Sequence, residues 1–127
     1  MSQLFEVGLV VTGIYKTGKY IGEITMVKEP NYVVRVLAVL KHPQQGDLHN
    51  PKMAEVGFFH ERRALAYREQ VNIQGVYIKP YDGELPSYQD SLTGALEEQY
   101  QDLQQDGSPF AIKALEKLAA LKADYFK

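Results

Sequence analysis

Residues 32–40, Tyr-Val-Val-Arg-Val-Leu-Ala-Val-Leu, constrain the fold more than any other stretch of the chain. In an extended strand, alternate side chains point to opposite faces. One face then carries Tyr32, Val34, Val36, Ala38 and Leu40, all apolar, and must lie on a core. The other carries Val33, Arg35, Leu37, Val39 and Lys41, of which three are also apolar. Leaving Val33, Leu37 and Val39 in water has no physical motive. The pattern predicts a sheet packed on its inner face and partly covered on its outer one.

Other strand signals surround this one. Residues 5–15 are rich in Val, Ile, Thr and Leu, and Lys16-Thr17-Gly18-Lys19 supplies a turn, with Gly18 free to take a positive φ. Residues 20–27 form a second strand, and Lys28-Glu29-Pro30-Asn31 turns the chain into the third. Two short segments follow, 56–59 and 64–68, separated by His60-Glu61-Arg62-Arg63. Gly8, Gly13 and Gly22 fall inside strand patterns, where they permit coiling or a bulge. Short strands at this spacing favour a small closed β-barrel of about five strands over residues 1–70. Tyr15, Tyr20 and Tyr32 are expected to close its ends. Residues 71–86, with Pro80, Gly83 and Pro86, read as a connector with no need of regular structure.

Helix signals then appear in order. Ser87 and Asp90 have capping-box spacing, and Leu92, Leu96, Tyr100 and Leu103 mark one face. Asp106-Gly107 breaks this helix, and Ser108-Pro109 restarts one with Ser as N-cap and Pro in the first turn. Ala111, Ala114, Leu115, Leu118, Leu121 and Tyr125 form its stripe. So short a turn makes the pair antiparallel. Residues 87–127 are therefore a helical hairpin, too small to fold alone. It is expected to dock on the barrel near Val33, Leu37 and Val39, giving one compact unit of mainly β structure with α.

The composition excludes several functions. Cysteine is absent, which removes disulfides, thiolate metal sites, thiol catalysis and S-acylation. The opening Met1-Ser2-Gln3-Leu4-Phe5-Glu6 lacks the basic-then-apolar pattern of a signal peptide, so a cytoplasmic location is expected. The longest apolar run is interrupted by Arg35 and is too short to cross a bilayer. Residues 1–70 carry a net +2 and residues 71–127 a net −4, so no nucleic-acid partner is expected.

The chemistry-bearing residues gather in one region. His42, His49 and His60 share it with Asp47, Asn50, Glu61, Arg62 and Arg63. One reading makes the imidazoles and Asp47 metal or phosphate ligands with the arginines as anion clamps. Another makes Asp47, His49 and Asn50 loop-shaping residues bonded to nearby backbone. No His-Glu-x-x-His or His-x-His spacing occurs, which favours the second reading, with no metal and no cofactor. Arg62 and Arg63 fit either a docking element or a solvated hairpin turn beside core phenylalanines. No Gly-x-Ser-x-Gly elbow surrounds Ser87, Ser91 or Ser108, and no Gly-rich phosphate loop is present. His42, Asp47, His49, Asn50, His60, Glu61, Arg62 and Arg63 are taken as a partner-binding surface.

Four segments carry a family resemblance. Gly13-Ile14-Tyr15-Lys16-Thr17-Gly18-Lys19-Tyr20-Ile21-Gly22-Glu23, Val36-Leu37-Ala38-Val39-Leu40-Lys41-His42-Pro43, Gln45-Gly46-Asp47-Leu48-His49-Asn50 and Phe58-Phe59-His60-Glu61-Arg62-Arg63-Ala64-Leu65-Ala66 resemble the kinase-associated lipoprotein B family of Bacillus-type bacteria. Ser108-Pro109-Phe110 extends the similarity to the last helix. The resemblance implies an SH3-like barrel with a C-terminal helical extension. It also implies a non-enzymatic accessory role for a sensor histidine kinase feeding the sporulation phosphorelay. It brings no catalytic residues. Without cysteine no thiol-linked lipid anchor can form, so membrane association is expected only through a partner. Two other functions compete: an RNA- or ribosome-associated barrel, opposed by the charge balance, and a small metal-dependent hydrolase using residues 42–60.

Overall fold

A computed structural model of the chain describes residues 5–46 and 59–127. Strands β1 (Val10–Tyr15), β2 (Gly18–Lys28), β3 (Asn31–Lys41), β4 (Gln70–Gln74) and β5 (Ile78–Pro80) form one antiparallel sheet in the order β4-β3-β2-β1-β5. Helices α1 (Tyr88–Asp106) and α2 (Pro109–Tyr125) follow.

The expected closed barrel is not formed. β4 pairs with β3 and β5 with β1, but β4 and β5 do not pair with each other, so the sheet stays open. A single 3-10 turn, Gly75–Tyr77, carries the chain from one edge strand straight to the other. The sheet is nevertheless strongly curled. Ile73 of β4 and Ile78 of β5 meet in one buried cluster with Phe5, Val11, Ile24, Tyr32 and Val34. Residues 71–86, expected as an irregular connector, thus contain most of β4 and all of β5. Their alternation is only three to five residues long, and Pro80 sits at the end of a sheet-edge strand, where a missing N–H costs nothing. Residues 64–68, expected as a strand, are irregular. The rest of the other expected short strand, residues 56–58, lies outside the described residues. The first strand begins at Val10 rather than at Phe5. Phe5 instead caps the concave core, its ring 5.3 Å from that of Tyr32. At the first hairpin the positive φ falls on Lys16, at 55°, and not on Gly18.

β3 departs from regular alternation. The β2–β3 register shifts at three places, and two of these leave Leu37 and Leu40 as extra residues on β3. Each bulge re-aims the side chains beyond it. Val36 and Val39 would face opposite ways in a regular strand, yet both are buried in one cluster with Tyr20, Ala64, Leu65, Leu92, Ala95, Leu96 and Leu118. That cluster joins the sheet to both helices. Of the three outer residues expected to meet the hairpin, Val39 is buried while Val33 and Leu37 are half-buried. The Val39 N–H donates to the Ser91 hydroxyl of α1 at 2.9 Å, which ties strand to helix directly.

The hairpin forms as its capping residues dictate. The Ser87 and Ser108 hydroxyls accept from the N–H groups of Asp90 and Ala111, both at 3.1 Å, and Pro109 begins α2. Between the helices Gly107 adopts φ 65°, and its N–H returns to the Leu103 carbonyl. Buried Leu92, Leu96, Leu118 and Leu121 then supply about 1.5–3 kcal/mol each before entropy is counted.

Gly22 lies beside one bulge, where β3 packs close against β2. A Cβ there would meet the Arg35 carbonyl oxygen at 2.6 Å and Val34 Cγ1 at 2.5 Å. Gly22→Ala is therefore expected to destabilise the fold by about 2 kcal/mol, the range for forcing a methyl into packed structure. The measurement is the urea midpoint, which drops at unchanged slope. A wild-type midpoint would show that β3 does not need this approach.

Candidate functional site

Between β3 and α1 runs a stretch of buried backbone without regular structure. Ala64 and Leu65 are 5% and 9% exposed, yet residues 61–66 belong to no strand or helix. Side chains from four other places supply the hydrogen bonds. Gln45, itself 3% exposed, accepts from the Arg62 N–H at 2.8 Å and donates to the Arg62 carbonyl at 2.9 Å. The Tyr125 hydroxyl of α2 accepts from the Ala64 N–H at 2.8 Å. The Tyr20 hydroxyl of β2 accepts from the Leu65 N–H at 3.3 Å, and the Tyr88 hydroxyl of α1 donates to the Leu65 carbonyl at 2.6 Å. Burial pushes the pKa of both Tyr20 and Tyr88 up to about 12, so these phenols stay protonated.

His42 sits behind this segment and is 2% exposed. Its Nδ1 lies 3.0 Å from the Pro43 carbonyl and its Nε2 3.0 Å from the Tyr125 hydroxyl. With Tyr125 already accepting from Ala64, one arrangement satisfies all three groups: Nδ1–H donates to the carbonyl and Nε2 accepts from the phenol. That is a neutral imidazole. Burial accordingly lowers its pKa. Gln99 of α1 adds donation to the carbonyls of His42 and Pro43 at 3.1 and 3.2 Å. His42 therefore fastens the hairpin and has no surface to offer a partner, which corrects its expected place in a binding face.

In front of the segment lies a cleft of about 280 Å³. The first hairpin contributes Tyr15, Lys16 and Thr17, with Tyr20 behind them, and the irregular segment contributes Glu61, Arg62, Arg63, Leu65 and Glu69. The Thr17 hydroxyl accepts from the Gln44 N–H at 2.8 Å, which fixes the hairpin tip. Arg62 Nε donates to the Gly46 carbonyl at 3.2 Å. Arg63 reaches the other way, with a 2.6 Å ion pair to Asp124 and its guanidinium 4.9 Å from the centre of the Tyr125 ring. That contact holds the Asp124 carboxyl below its usual range.

Of the expected surface, the structure brings Glu61, Arg62 and Arg63 to one cleft. His60 is half-buried just before them in the chain. Asp47, His49 and Asn50 lie outside the described residues. Among the described residues no three His, Asp or Glu side chains come together as a metal site would need. Sequence reasoning missed Gln45, the three clamping tyrosines as a set, and the hairpin tip Lys16-Thr17. An amide standing in for a strand neighbour leaves no periodic signal.

A curled, open antiparallel sheet carrying a docked helical hairpin, with a polar cleft between hairpin tip and clamped segment, defines a small single-sheet α+β protein. Among the described residues no helix is long and apolar enough to cross a membrane. The chain belongs to the family described as Kinase associated protein B, whose sequence profile matches residues 15–126. It is 54% identical over 122 residues to kinase-associated lipoprotein B of Bacillus subtilis (strain 168), covering 96% of this chain and 95% of that one. It is also similar to the crystal structure of kinase-associated protein B from Bacillus cereus, with a TM-score of 0.83 and 51% identity over 98% of this chain and all of that one.

The neutral, buried His42 gives a pH dependence of fixed sign. Below the ordinary imidazole pKa of about 6.5 the unfolded chain takes up a proton that the folded one resists. Stability from this group is fully present above that pH and is lost as pH falls through the depressed folded value. Urea midpoints of the wild type should therefore fall on acidification more than those of His42→Gln. Equal slopes in both proteins would contradict this account of His42.

Proposed function

We propose that this protein is a non-enzymatic accessory factor that binds a sensor histidine kinase of the sporulation phosphorelay. Family membership and the names of the two relatives support the kinase association. The sensor-kinase and sporulation setting comes from the resemblance of the quoted sequence segments. One observation carries the choice of surface: the cleft gathers Glu61, Arg62 and Arg63 with Lys16 on a segment whose backbone is hydrogen-bonded to sheet and hairpin. In this reading the curled sheet serves as an SH3-like platform, and His60, Asp47, His49 and Asn50 extend the binding face. The Bacillus subtilis relative is named a lipoprotein. This chain has no cysteine to carry a thiol-linked lipid, and in this reading it is cytoplasmic, with any membrane association coming through its partner.

Calorimetric titration of the kinase's cytoplasmic portion into the purified protein tests the reading. Arg62→Ala is expected to weaken binding by about 2 kcal/mol, roughly thirtyfold, at an unchanged melting temperature. Absence of binding by the wild type, or equal affinity in the variant, would count against the kinase reading or the surface respectively.

A further inference from the structure

We infer that the cleft seats a single carboxylate side chain from a protein partner, held by the Lys16 ammonium and the Arg62 guanidinium; this rests on the cleft being the partner face. Lys16 and Arg62 reach the cleft from two separate segments, and among the described residues neither makes an ion pair. Arg63, the third cation of the lining, is matched by Asp124.

The backbone that carries each of these two cations, Lys16 and Arg62, is set by the fold. Lys16 stands at the hairpin tip with φ 55°, a left-handed conformation that lysine seldom adopts. Its ammonium lies 5.5 Å from the centre of the Tyr15 ring. A cation resting on a ring stays open to an anion, which an ion-paired one does not. The peptide of Arg62 is gripped on both sides by buried Gln45. Its Nε goes to Gly46, so four of the five guanidinium N–H donors keep no partner among the described residues.

The carboxylates on the lining decide the charge of the ligand. The Glu69 carboxylate already accepts from the Ala66 N–H at 2.8 Å, and Glu61 is exposed. With Arg63 matched by Asp124, Lys16 and Arg62 are balanced by Glu61 and Glu69. A second negative charge on the ligand then gains attraction and repulsion in nearly equal measure while its desolvation cost rises. A carboxylate of Asp or Glu therefore fits the site better than a phosphate group. The contact is open to water and so must weaken with salt.

The test uses the isotopically labelled full chain and two synthetic peptides of about ten residues, one carrying Asp and Glu, the other Asn and Gln at the same positions. The acidic peptide should shift the NMR signals of Lys16, Thr17 and the Arg62 Nε–H, and the amide peptide should not. Binding should weaken about tenfold or more in Lys16→Glu and in Arg62→Glu, and also with added salt. Lys16→Glu, at an exposed turn, carries the test should Arg62→Glu unfold. Equal shifts from both peptides, shifts confined elsewhere, or displacement by an equimolar amount of inorganic phosphate would overturn the inference. The kinase fragment separates the two ideas. If it binds wild type and both charge variants equally, the carboxylate site fails and the kinase reading stands. If it does not bind while the acidic peptide does, the kinase reading fails and the site stands.

Discussion

Five buried or half-buried backbone groups between Arg62 and Leu65 take their hydrogen bonds from side chains rather than from a strand neighbour. Backbone N–H and C=O groups out of water must be paired, and each one left unpaired costs about 1–3 kcal/mol. Five together compare with the whole stability of a domain, about 5–15 kcal/mol. The donors and acceptors come from β2, from the loop after β3, and from both helices. The segment can therefore be dry only when sheet and hairpin are in place at once. The same contact makes the cleft, because the peptide that Gln45 grips is the peptide that carries Arg62.

This arrangement accounts for the division of labour among the chemistry-bearing residues. His42 faces inward and spends both ring nitrogens on structure. Arg63 closes over Tyr125 and pairs with Asp124, strapping the end of α2 to the segment. Among the described residues, Arg62 and Lys16 are the cations of the cleft that make no ion pair. A region that reads in sequence as one cluster is thus two surfaces, one packed against the hairpin and one open to solvent.

The parts of the fold visible in the sequence were those with a local cause. Ser87, Gly107 and Ser108-Pro109 set the helix ends through their own backbone preferences, and the apolar stretch of β3 announced a buried strand. The parts hidden from it had non-local causes. The bulges at Leu37 and Leu40 arise from pairing with β2, so strict alternation set Val36 on the face opposite Val39, whereas both are buried in the cluster that meets the helices. β4 and β5 are short and exist because the curled sheet offers them edges. Residues 64–68 looked like a strand because they are largely apolar. The backbone of Ala64 and Leu65 instead pairs with Tyr20, Tyr88 and Tyr125, distant in sequence and indistinguishable there from the other six tyrosines, while the Arg68 N–H goes to the Val36 carbonyl. Of the candidate site, the arginines were legible by type, whereas the lysine that joins them comes from a hairpin more than forty residues away.

Native-state hydrogen exchange at the amides of Arg62, Ala64 and Leu65 tests the central claim directly. If side chains from sheet and hairpin hold this backbone, these amides exchange only through global opening, with the same free energy as the core amides of β2 and α1. Exchange at the rate of an exposed loop, while β2 and α1 stay protected, would show that the segment is not what joins the two halves.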